Sequence, residues 1–211
     1  MLGKLIIVAV IGYLLGNVNG AILVSKLTYR DDVRQHGSGN AGLTNFFRIY
    51  GGVSTVLVLA IDAVKTFAAC AVAFYLLQGT TAVDFGKMLA GFCVVIGHMF
   101  PVFFHFHGGK GVLCCAALAL MMSAPLFGVL AVVFIACLLI SRYVSLTSCV
   151  TAVVYPFVFA YFFWRNWGVI ALAVLLGGTV IYMHRANIKR LCQGTESKFS
   201  FHKNHNKEDI V

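Results

Sequence analysis

Residues 125–141 read PLFGVLAVVFIACLLIS, a run of 17 residues without a charged side chain. A helix that crosses the hydrocarbon core of a bilayer needs about 20 consecutive, mostly apolar residues. Lipid offers the backbone no hydrogen-bond partner, so a segment of this kind must be helical. The run therefore predicts a transmembrane helix.

Further apolar segments lie on both sides of this run. Seven can be drawn in all, at approximately residues 5–25, 52–78, 88–104, 111–123, 125–141, 146–164 and 167–184. The fourth is short for a span, and Ser123, Ala124 and Pro125 indicate a hairpin turn between it and the fifth. We predict an all-α polytopic membrane protein with seven transmembrane helices. Residues 1–211 form one membrane-embedded domain, with a partly mobile tail from about residue 192.

The composition agrees with a membrane protein. The chain has 211 residues, of which 60% are hydrophobic and 11% charged, and its mean hydropathy is +0.90. Soluble domains carry about 25% charged residues. The first apolar run lacks a small-residue cleavage site, which indicates a retained helix. The seven cysteines form no CxxC pair, so neither a disulfide nor a metal site is indicated.

The basic residues predict the orientation in the membrane, because cytoplasmic loops carry an excess of Lys and Arg. With the N-terminus outside and the C-terminus cytoplasmic, 12 of the 16 basic residues lie in cytoplasmic segments. Only Lys4, Lys87 and Arg165 lie outside, and Lys65 lies within the second apolar segment. The basic residues behind the net charge of +9 are therefore explained by the orientation of the protein in the membrane. No nucleic-acid partner is needed to account for them, and none is expected.

The loop after the first span, residues 33–48, reads VRQHGSGNAGLTNFFR. Glycine lets the backbone approach a ligand and point successive N–H groups at an anion. Ser38, Thr44 and Asn45 supply further donors, and Arg48 is suited to gripping a phosphate. The alternative is an ordinary interfacial loop.

Two further segments carry similar chemistry. GGKG at residues 108–111 indicates phosphate binding by Lys110, although the spacing is not that of a nucleotide-binding P-loop. His184 and Asn187 are three residues apart, so on a helix they share a face. The alternatives are a basic residue in a flexible turn and an interfacial anchor of Tyr, Arg and Lys.

Asp62 and Lys65 lie inside the second apolar segment, where charge is costly and a paired or functional role is the default. Their spacing permits an ion pair, which we favour over a direct catalytic role. All the polar segments fall on the cytoplasmic side of the predicted topology. This arrangement suggests a phosphate-bearing substrate that enters from the cytosol.

Five stretches together resemble the acyl-phosphate-dependent glycerol-3-phosphate acyltransferase family, the PlsY type. They are VRQHGSGNAGLTNFFRIYG from residue 33, DAVK from 62, GHMFPVFFHFHGGKGV from 97, SRYVSLTS from 141 and HRANIKRLCQGTE from 184. The resemblance implies a multi-pass enzyme of the bacterial cell inner membrane, with its active site facing the cytoplasm. It would transfer a fatty acyl group from acyl phosphate to glycerol 3-phosphate, the first acylation step of phospholipid synthesis. Lysophosphatidic acid and phosphate would be the products.

The resemblance also implies roles for residues. Ser38 and Ser145 would hold the acyl-phosphate group, and the expected set around glycerol 3-phosphate is Arg48, Lys110, His184 and Asn187. The expected substrate-binding positions beside them are Gly37, Gly39, Asn40, Gly42, Thr44, Asn45, His98, Gly108, Gly109 and Gly111. Structural or supporting roles fall to Asn17, Asn19, Asp62 and Lys65. Neither a cofactor nor a metal is implied, and the partners are the two substrates and membrane lipid, with no obligate protein partner.

The chain departs from the family pattern at two places. Asn17 and Asn19 stand where the family usually has serine and proline, and Asn19 does not restrict φ as proline does. Thr66 stands where the family has the glycine after DxxK. These changes bear on local geometry.

The chemistry expected of these residues is direct transfer. No Ser-His-Asp grouping appears, and acyl phosphate is already activated, so the enzyme mainly aligns a hydroxyl and neutralises phosphate. Either the donor's phosphate or His184 takes the hydroxyl proton, and we favour His184 as a binding residue. An organic-phosphate transporter would need polar groups near mid-membrane and usually an internal repeat. A metal-dependent lipid transferase would need clustered aspartates. Neither feature is evident.

Overall fold

The computed structural model describes residues 1–199, and over those residues the regular structure is helical. The α-helices in chain order are α1 Leu2–Gly16, α2 Gly20–Tyr29, α3 Leu43–Ile49, α4 Ser54–Leu77, α5 Val83–Met99, α6 Val112–Met122, α7 Ala124–Ser141, α8 Val144–Phe162, α9 Trp167–Met183 and α10 Arg185–Cys192. Single 3-10 turns lie at Val33–Gln35 and Val102–Phe104.

The all-α prediction is confirmed, and several helices are suited to a membrane. Within residues 1–199, five stretches are long and apolar enough to cross, namely Leu2–Tyr29, Ser54–Leu77, Val83–Phe104, Ala124–Ser141 and Val144–Phe162. A sixth is counted if α9 and α10, which meet at a bend of 55°, form one span. Helix α6 has only 11 residues, about 16 Å at 1.5 Å per residue. Seven spans and the orientation of the termini therefore stay predictions.

The first apolar segment, predicted as one helix, is broken. Helix α1 ends at Gly16 and α2 begins at Gly20. Asn19 has extended backbone angles, and its Oδ1 accepts the amide proton of Ile22 at 3.0 Å, which caps α2. A break leaves backbone N–H and C=O groups that an unbroken helix would pair internally. The break is stable here because the Asn19 cap and the buried Lys65 satisfy such groups.

Small residues bring α1 and α5 into close contact. A Cβ at Gly16 would lie 2.4 Å from the carbonyl oxygen of Val94, and one at Gly97 would lie 2.3 Å from that of Tyr13. Only glycine allows the two backbones to approach this closely. The contact places the end of α5, and the loop that follows it, beside the break in the first span.

The remaining long helices surround a central space. Helix α6 packs on α5 and α7, α8 packs on α7 and α9, and α9 packs back on α5. The predicted hairpin between the fourth and fifth segments is present, because Ser123 alone separates α6 from α7. These neighbours leave room for a cavity inside the ring of α5 to α9.

The segment after α10 folds back over the bundle. The amide of Phe199 donates to the carbonyl oxygen of Arg142 at 2.7 Å, and its ring lies 6.4 Å from that of Phe47. Glu196 also makes a specific contact with Arg190, and the partly mobile tail from about residue 192 stays a prediction. The rest of the predicted tail lies outside the described residues.

Candidate active site

A cavity of about 840 Å³ opens among the loops and continues between the helices. At one end polar side chains line it: Ser38, Asn40, Thr44, Arg48, Lys110, Ser145, His184, Asn187, Arg190 and Glu196. Along α6 to α9 the lining is mostly apolar, apart from Ser148 and Thr151, and includes Leu113, Phe127, Leu130, Phe134, Tyr155 and Leu176. From Ser145 to Tyr155 is ten residues of α8, so the apolar arm extends about 15 Å along that helix.

Asn45 holds the glycine-rich loop in shape. Its Oδ1 accepts the amide proton of Ser38 at 3.0 Å, and its Nδ2 donates to the carbonyl oxygens of Val33 and His36. Gly37 has φ +58°, and a Cβ there would lie 2.5 Å from Asn45 Oδ1. Asn45 therefore has a role inside the loop; it also lines the cavity, so its predicted role as a substrate donor stays a prediction, and Ser38 is exposed at the cavity rim.

Lys110 is the most enclosed cation at the polar end of the cavity. Its ammonium donates a hydrogen bond to Oδ1 of Asn187. Burial lowers the pKa of Lys110 to about 8, and the neighbouring Arg190 and Arg48 act in the same direction. A partly desolvated ammonium in this position is ready to gain from an anionic ligand.

Three glycines predicted to cradle phosphate already donate their backbone N–H groups to carbonyl oxygens of the protein. Gly108 N–H donates to Met99 O at 3.2 Å, and Gly109 N–H to His98 O at 3.0 Å. Gly39 N–H likewise donates to the carbonyl oxygen of His36. None of the three lines the cavity among the described residues, so the structure gives no support to a backbone cradle at these positions, and the cradle stays a prediction. They are glycine for close packing and for turn geometry (Gly39 has φ +68°).

His184 and Asn187 reach the cavity from opposite sides of the bend between α9 and α10. His184 Nδ1 lies 2.8 Å from the carbonyl oxygen of Val180, which only accepts, so the proton sits on Nδ1. Nε2 of the neutral ring is then an acceptor. His184 ends α9 and is the N-cap of α10, which contains Asn187, and both residues line the cavity.

Ser145 lies in the first turn of α8. Its Oγ is buried beside the Glu196 carboxylate, and its hydroxyl interacts with that carboxylate. Because Ser145 also lines the cavity, its hydroxyl is placed to bind a ligand there.

Glu196 and Arg190 were not predicted as site residues. The Glu196 carboxylate accepts hydrogen bonds from Asn187 Nδ2 at 2.7 Å and from Arg190 Nε at 2.6 Å. Burial raises its pKa, but these two bonds and the interaction with the Ser145 hydroxyl outweigh burial and hold it below the usual range. Glu196 lies in the last stretch that supports the family resemblance, and that position is the only signal in the sequence.

The predicted ion pair is present inside the bundle. Lys65 Nζ lies 2.7 Å from Asp62 Oδ1, and both side chains are buried. Asp62, His98 and Cys114 place possible metal-ligating atoms within 4.8 Å of one another. The Lys65 ammonium, however, already contacts both Asp62 and His98, so a cation occupies the position that an ion would need.

The other predicted residues fall into two groups, those that line the cavity and those that lie away from it. Gly37, Asn40, Gly42, Thr44, Asp62, His98 and Gly111 line the cavity. Asn17, Asn19 and Lys65 lie away from it in buried contacts of the first span. Asn17 donates through Nδ2 to the carbonyl oxygen of Tyr13, so the amide that replaces serine keeps a hydrogen bond.

Known proteins resemble this chain over most of its length. The family model described as glycerol-3-phosphate acyltransferase matches residues 6–194. The glycerol-3-phosphate acyltransferase of Thermoanaerobacter pseudethanolicus is 38% identical over 194 residues, which covers 92% of this chain and 94% of the relative. Glycerol-3-phosphate acyltransferase 2 of Bacillus cereus is 41% identical over the same shares of the two chains.

Solved structures show the same fold. The crystal structure of PlsY (YgiH), an integral membrane glycerol 3-phosphate acyltransferase in its glycerol 3-phosphate form, has a TM-score of 0.82 and 33% identity. The match covers 93% of this chain and 96% of that one. The lysophosphatidic acid form of PlsY has a TM-score of 0.79 and 31% identity, with 93% and 95% covered.

Proposed function

The chain belongs to the glycerol-3-phosphate acyltransferase family and acylates glycerol 3-phosphate to lysophosphatidic acid, and from this premise we propose that its acyl donor is an acyl phosphate. The observation that carries the proposal is one cavity with two kinds of lining. Arg48, Lys110 and Arg190 place three cations at its polar end, and α6 to α9 form its apolar arm. A donor with a phosphate head and a fatty chain fits such a cavity.

The phosphate groups bind at the polar end. Lys110 and Arg48 contact the phosphate of glycerol 3-phosphate, since charge-assisted bonds to phosphate are the strongest available there. Asn187 positions Lys110 through their hydrogen bond. Ser38 at the rim and Ser145 on α8 donate to the phosphate of the acyl donor. The acyl chain lies in the apolar arm, which ends at Tyr155.

The transfer itself is a single displacement. A hydroxyl oxygen of glycerol 3-phosphate attacks the acyl carbonyl carbon and forms the ester bond, while the bond from that carbon to the phosphate oxygen breaks. The electron pair leaves with phosphate, which also takes the hydroxyl proton. His184 Nε2 accepts a hydrogen bond from the other hydroxyl of glycerol 3-phosphate and so orients the molecule for attack. The cations stabilise the charge that develops on the departing phosphate.

The convergence of loops supports the predicted topology. The polar end of the cavity is built from the loops after α2 and α5, the start of α8 and helix α10. The chain therefore returns to one end after each of the pairs α4–α5, α6–α7 and α8–α9. Seven crossings with the site on the cytoplasmic side fit this pattern and the charge distribution, and the inner membrane of a bacterial cell is the location that we propose.

The donor is tested with purified protein in detergent. Acyl phosphate and acyl-CoA are supplied separately with glycerol 3-phosphate, and lysophosphatidic acid and free phosphate are measured. We expect equal amounts of both products from acyl phosphate and none from acyl-CoA, whose thioester carries no acyl-linked phosphate. Faster turnover with acyl-CoA would contradict the proposed donor.

A further inference from the structure

Four polar side chains, those of Asn19, Asp62, Lys65 and His98, lie together inside the bundle, and none takes part in the transfer described above. Each is at most 4% exposed. Ionised groups inside a membrane protein are costly, so a set of this kind has a function or is tightly paired. The contacts that these four residues make lead from the first span to the Lys110 loop.

Lys65 lies at the centre of the cluster. Its Nζ is 2.7 Å from Asp62 Oδ1, 2.8 Å from the carbonyl oxygen of Val18 and 2.9 Å from His98 Nδ1. The carbonyl of Val18 belongs to the break between α1 and α2, and Asp62 Oδ1 accepts the amide proton of Gly20 from the same break at 3.2 Å. The ion pair therefore satisfies backbone groups that the broken helix leaves unpaired.

The same contacts hold the Nδ1 side of the His98 ring. Lys65 Nζ lies 2.9 Å from His98 Nδ1, and Asp62 Oδ1 lies 3.5 Å from the same atom. Asn19 lies on this side as well, because its Oδ1 accepts from Ile22 N–H while its Nδ2 donates to Ala41 O and lies 3.5 Å from His98 Nδ1. His98 is thus fixed in position by three side chains.

The other side of His98 supports the loop that carries Lys110. Gly109 N–H donates to the backbone carbonyl of His98 at 3.0 Å. A Cβ at Gly109 would lie 2.1 Å from His98 Nε2 and 2.6 Å from Ala41 O. The ring of His98 therefore decides where Gly109 lies, and the next residue is Lys110.

We propose that Asp62 and Lys65 are positioning residues for Lys110. They hold His98 in place, His98 sets the position of Gly109, and Gly109 sets the position of the ammonium that binds glycerol 3-phosphate. The inference rests on the proposed function only in taking Lys110 as a ligand of that phosphate. It assigns the buried charges a role in substrate affinity besides their role in the fold.

The test is the double variant Asp62→Asn/Lys65→Met. Removing both charges together leaves neither unpaired, which avoids the large cost of one buried ion without its partner. Binding of glycerol 3-phosphate is measured by calorimetry on folded, monodisperse protein without a donor, and the KM for acyl phosphate is measured separately. We expect the Kd for glycerol 3-phosphate to rise about tenfold or more, the effect of losing one charge-assisted contact, with the donor KM unchanged.

A purely structural role would lower the yield of folded protein and leave both affinities of the folded fraction unchanged. An unaltered Kd for glycerol 3-phosphate in the folded double variant, or an equal weakening of both substrates, overturns the inference. Absence of glycerol 3-phosphate binding by the wild-type protein would contradict the proposed function instead.

Gly109→Ala provides a second route that leaves both charges intact. The added methyl group forces Gly109 and His98 apart, so the Kd for glycerol 3-phosphate should rise again. The triple variant combines Asp62→Asn, Lys65→Met and Gly109→Ala. Its Kd for glycerol 3-phosphate should be no higher than the higher of the two values for the double variant and Gly109→Ala, because the changes act through one chain of contacts. Gly128→Ala on α7 is the matched control, since its Cβ meets nothing within 4 Å. An unchanged Kd in Gly109→Ala, or additive losses in the triple variant, also rejects the inference.

Discussion

The ammonium of Lys110 donates a hydrogen bond to Oδ1 of Asn187, 77 residues further along the chain. The contact joins the loop after α5 to the helix after α9. Asn187 also donates to Glu196, which binds Arg190, so the enclosed cation is the first member of a continuous polar chain. Lys110, Asn187, Glu196 and Arg190 are therefore one connected unit at the polar end of the cavity.

Removal of either phosphate-binding cation should reduce activity strongly. Arg48→Ala and Lys110→Ala each delete one charge-assisted contact, about 1.5–3 kcal/mol, or roughly 10- to 150-fold in kcat/KM. Turnover by purified, folded variants measures the effect. Arg165→Ala is the matched control, because this arginine lies over the ring of Trp164 outside the cavity. Near-normal turnover by the Arg48 or Lys110 variant would show that the loops only set topology.

The enzyme should lose affinity for glycerol 3-phosphate in mildly alkaline solution. The pKa of Lys110 is lowered to about 8 by burial, so the charged form is present below pH 8 and lost above it. A plot of kcat/KM, which reports the free enzyme, should therefore fall as pH rises through about 8. The Lys110→Arg variant keeps its positive charge across this pH range, so its kcat/KM should not fall as pH rises through about 8. The same alkaline fall in the arginine variant would assign the titration to another group.

Ser145 should bind substrate without becoming acylated. Its hydroxyl lies beside Glu196, but the bonds from Asn187 and Arg190 keep the pKa of that carboxylate low, which makes it a poor base. Mass spectrometry after incubation with acyl phosphate alone should find no acyl-protein. Ser145→Ala should lose about tenfold in kcat/KM for the donor, the effect of one hydrogen bond in the site. A trapped acyl adduct at Ser145 would replace the single displacement with a two-step mechanism.

The polar end of the cavity should face the cytoplasm. Single cysteines at Ser38 and Arg185, in a background with the seven native cysteines replaced, should resist a membrane-impermeant thiol reagent added to intact cells. Both should react after the cells are opened. A cysteine at Trp164, between α8 and α9, should react in intact cells and serves as the control. Labelling of the first two positions from outside would invert the proposed topology.

Several site residues follow from the sequence because their chemistry is local. Lys110 between glycines, Ser38 in the glycine-rich loop and the pair His184 and Asn187 were all predicted as site residues, and all line the cavity. The three-residue spacing of Asp62 and Lys65 similarly predicted their ion pair. The roles of Asn45, Gly108 and Gly109 do not follow from the sequence in this way, since only the folded chain shows which partners their amides have.

The sequence by itself determined that the chain is a helical membrane protein, because apolar runs and the need to satisfy backbone hydrogen bonds act within each segment, and its five motif stretches carried the resemblance to the family. Only the tertiary structure decided where the first span breaks, that Glu196 returns to the cavity and that Lys65 supports His98. These features depend on contacts between residues distant in sequence. At these places, polar groups that find no hydrogen-bond partner within their own segment are paired with side chains of neighbouring helices. No pattern within one segment shows which neighbour supplies that partner.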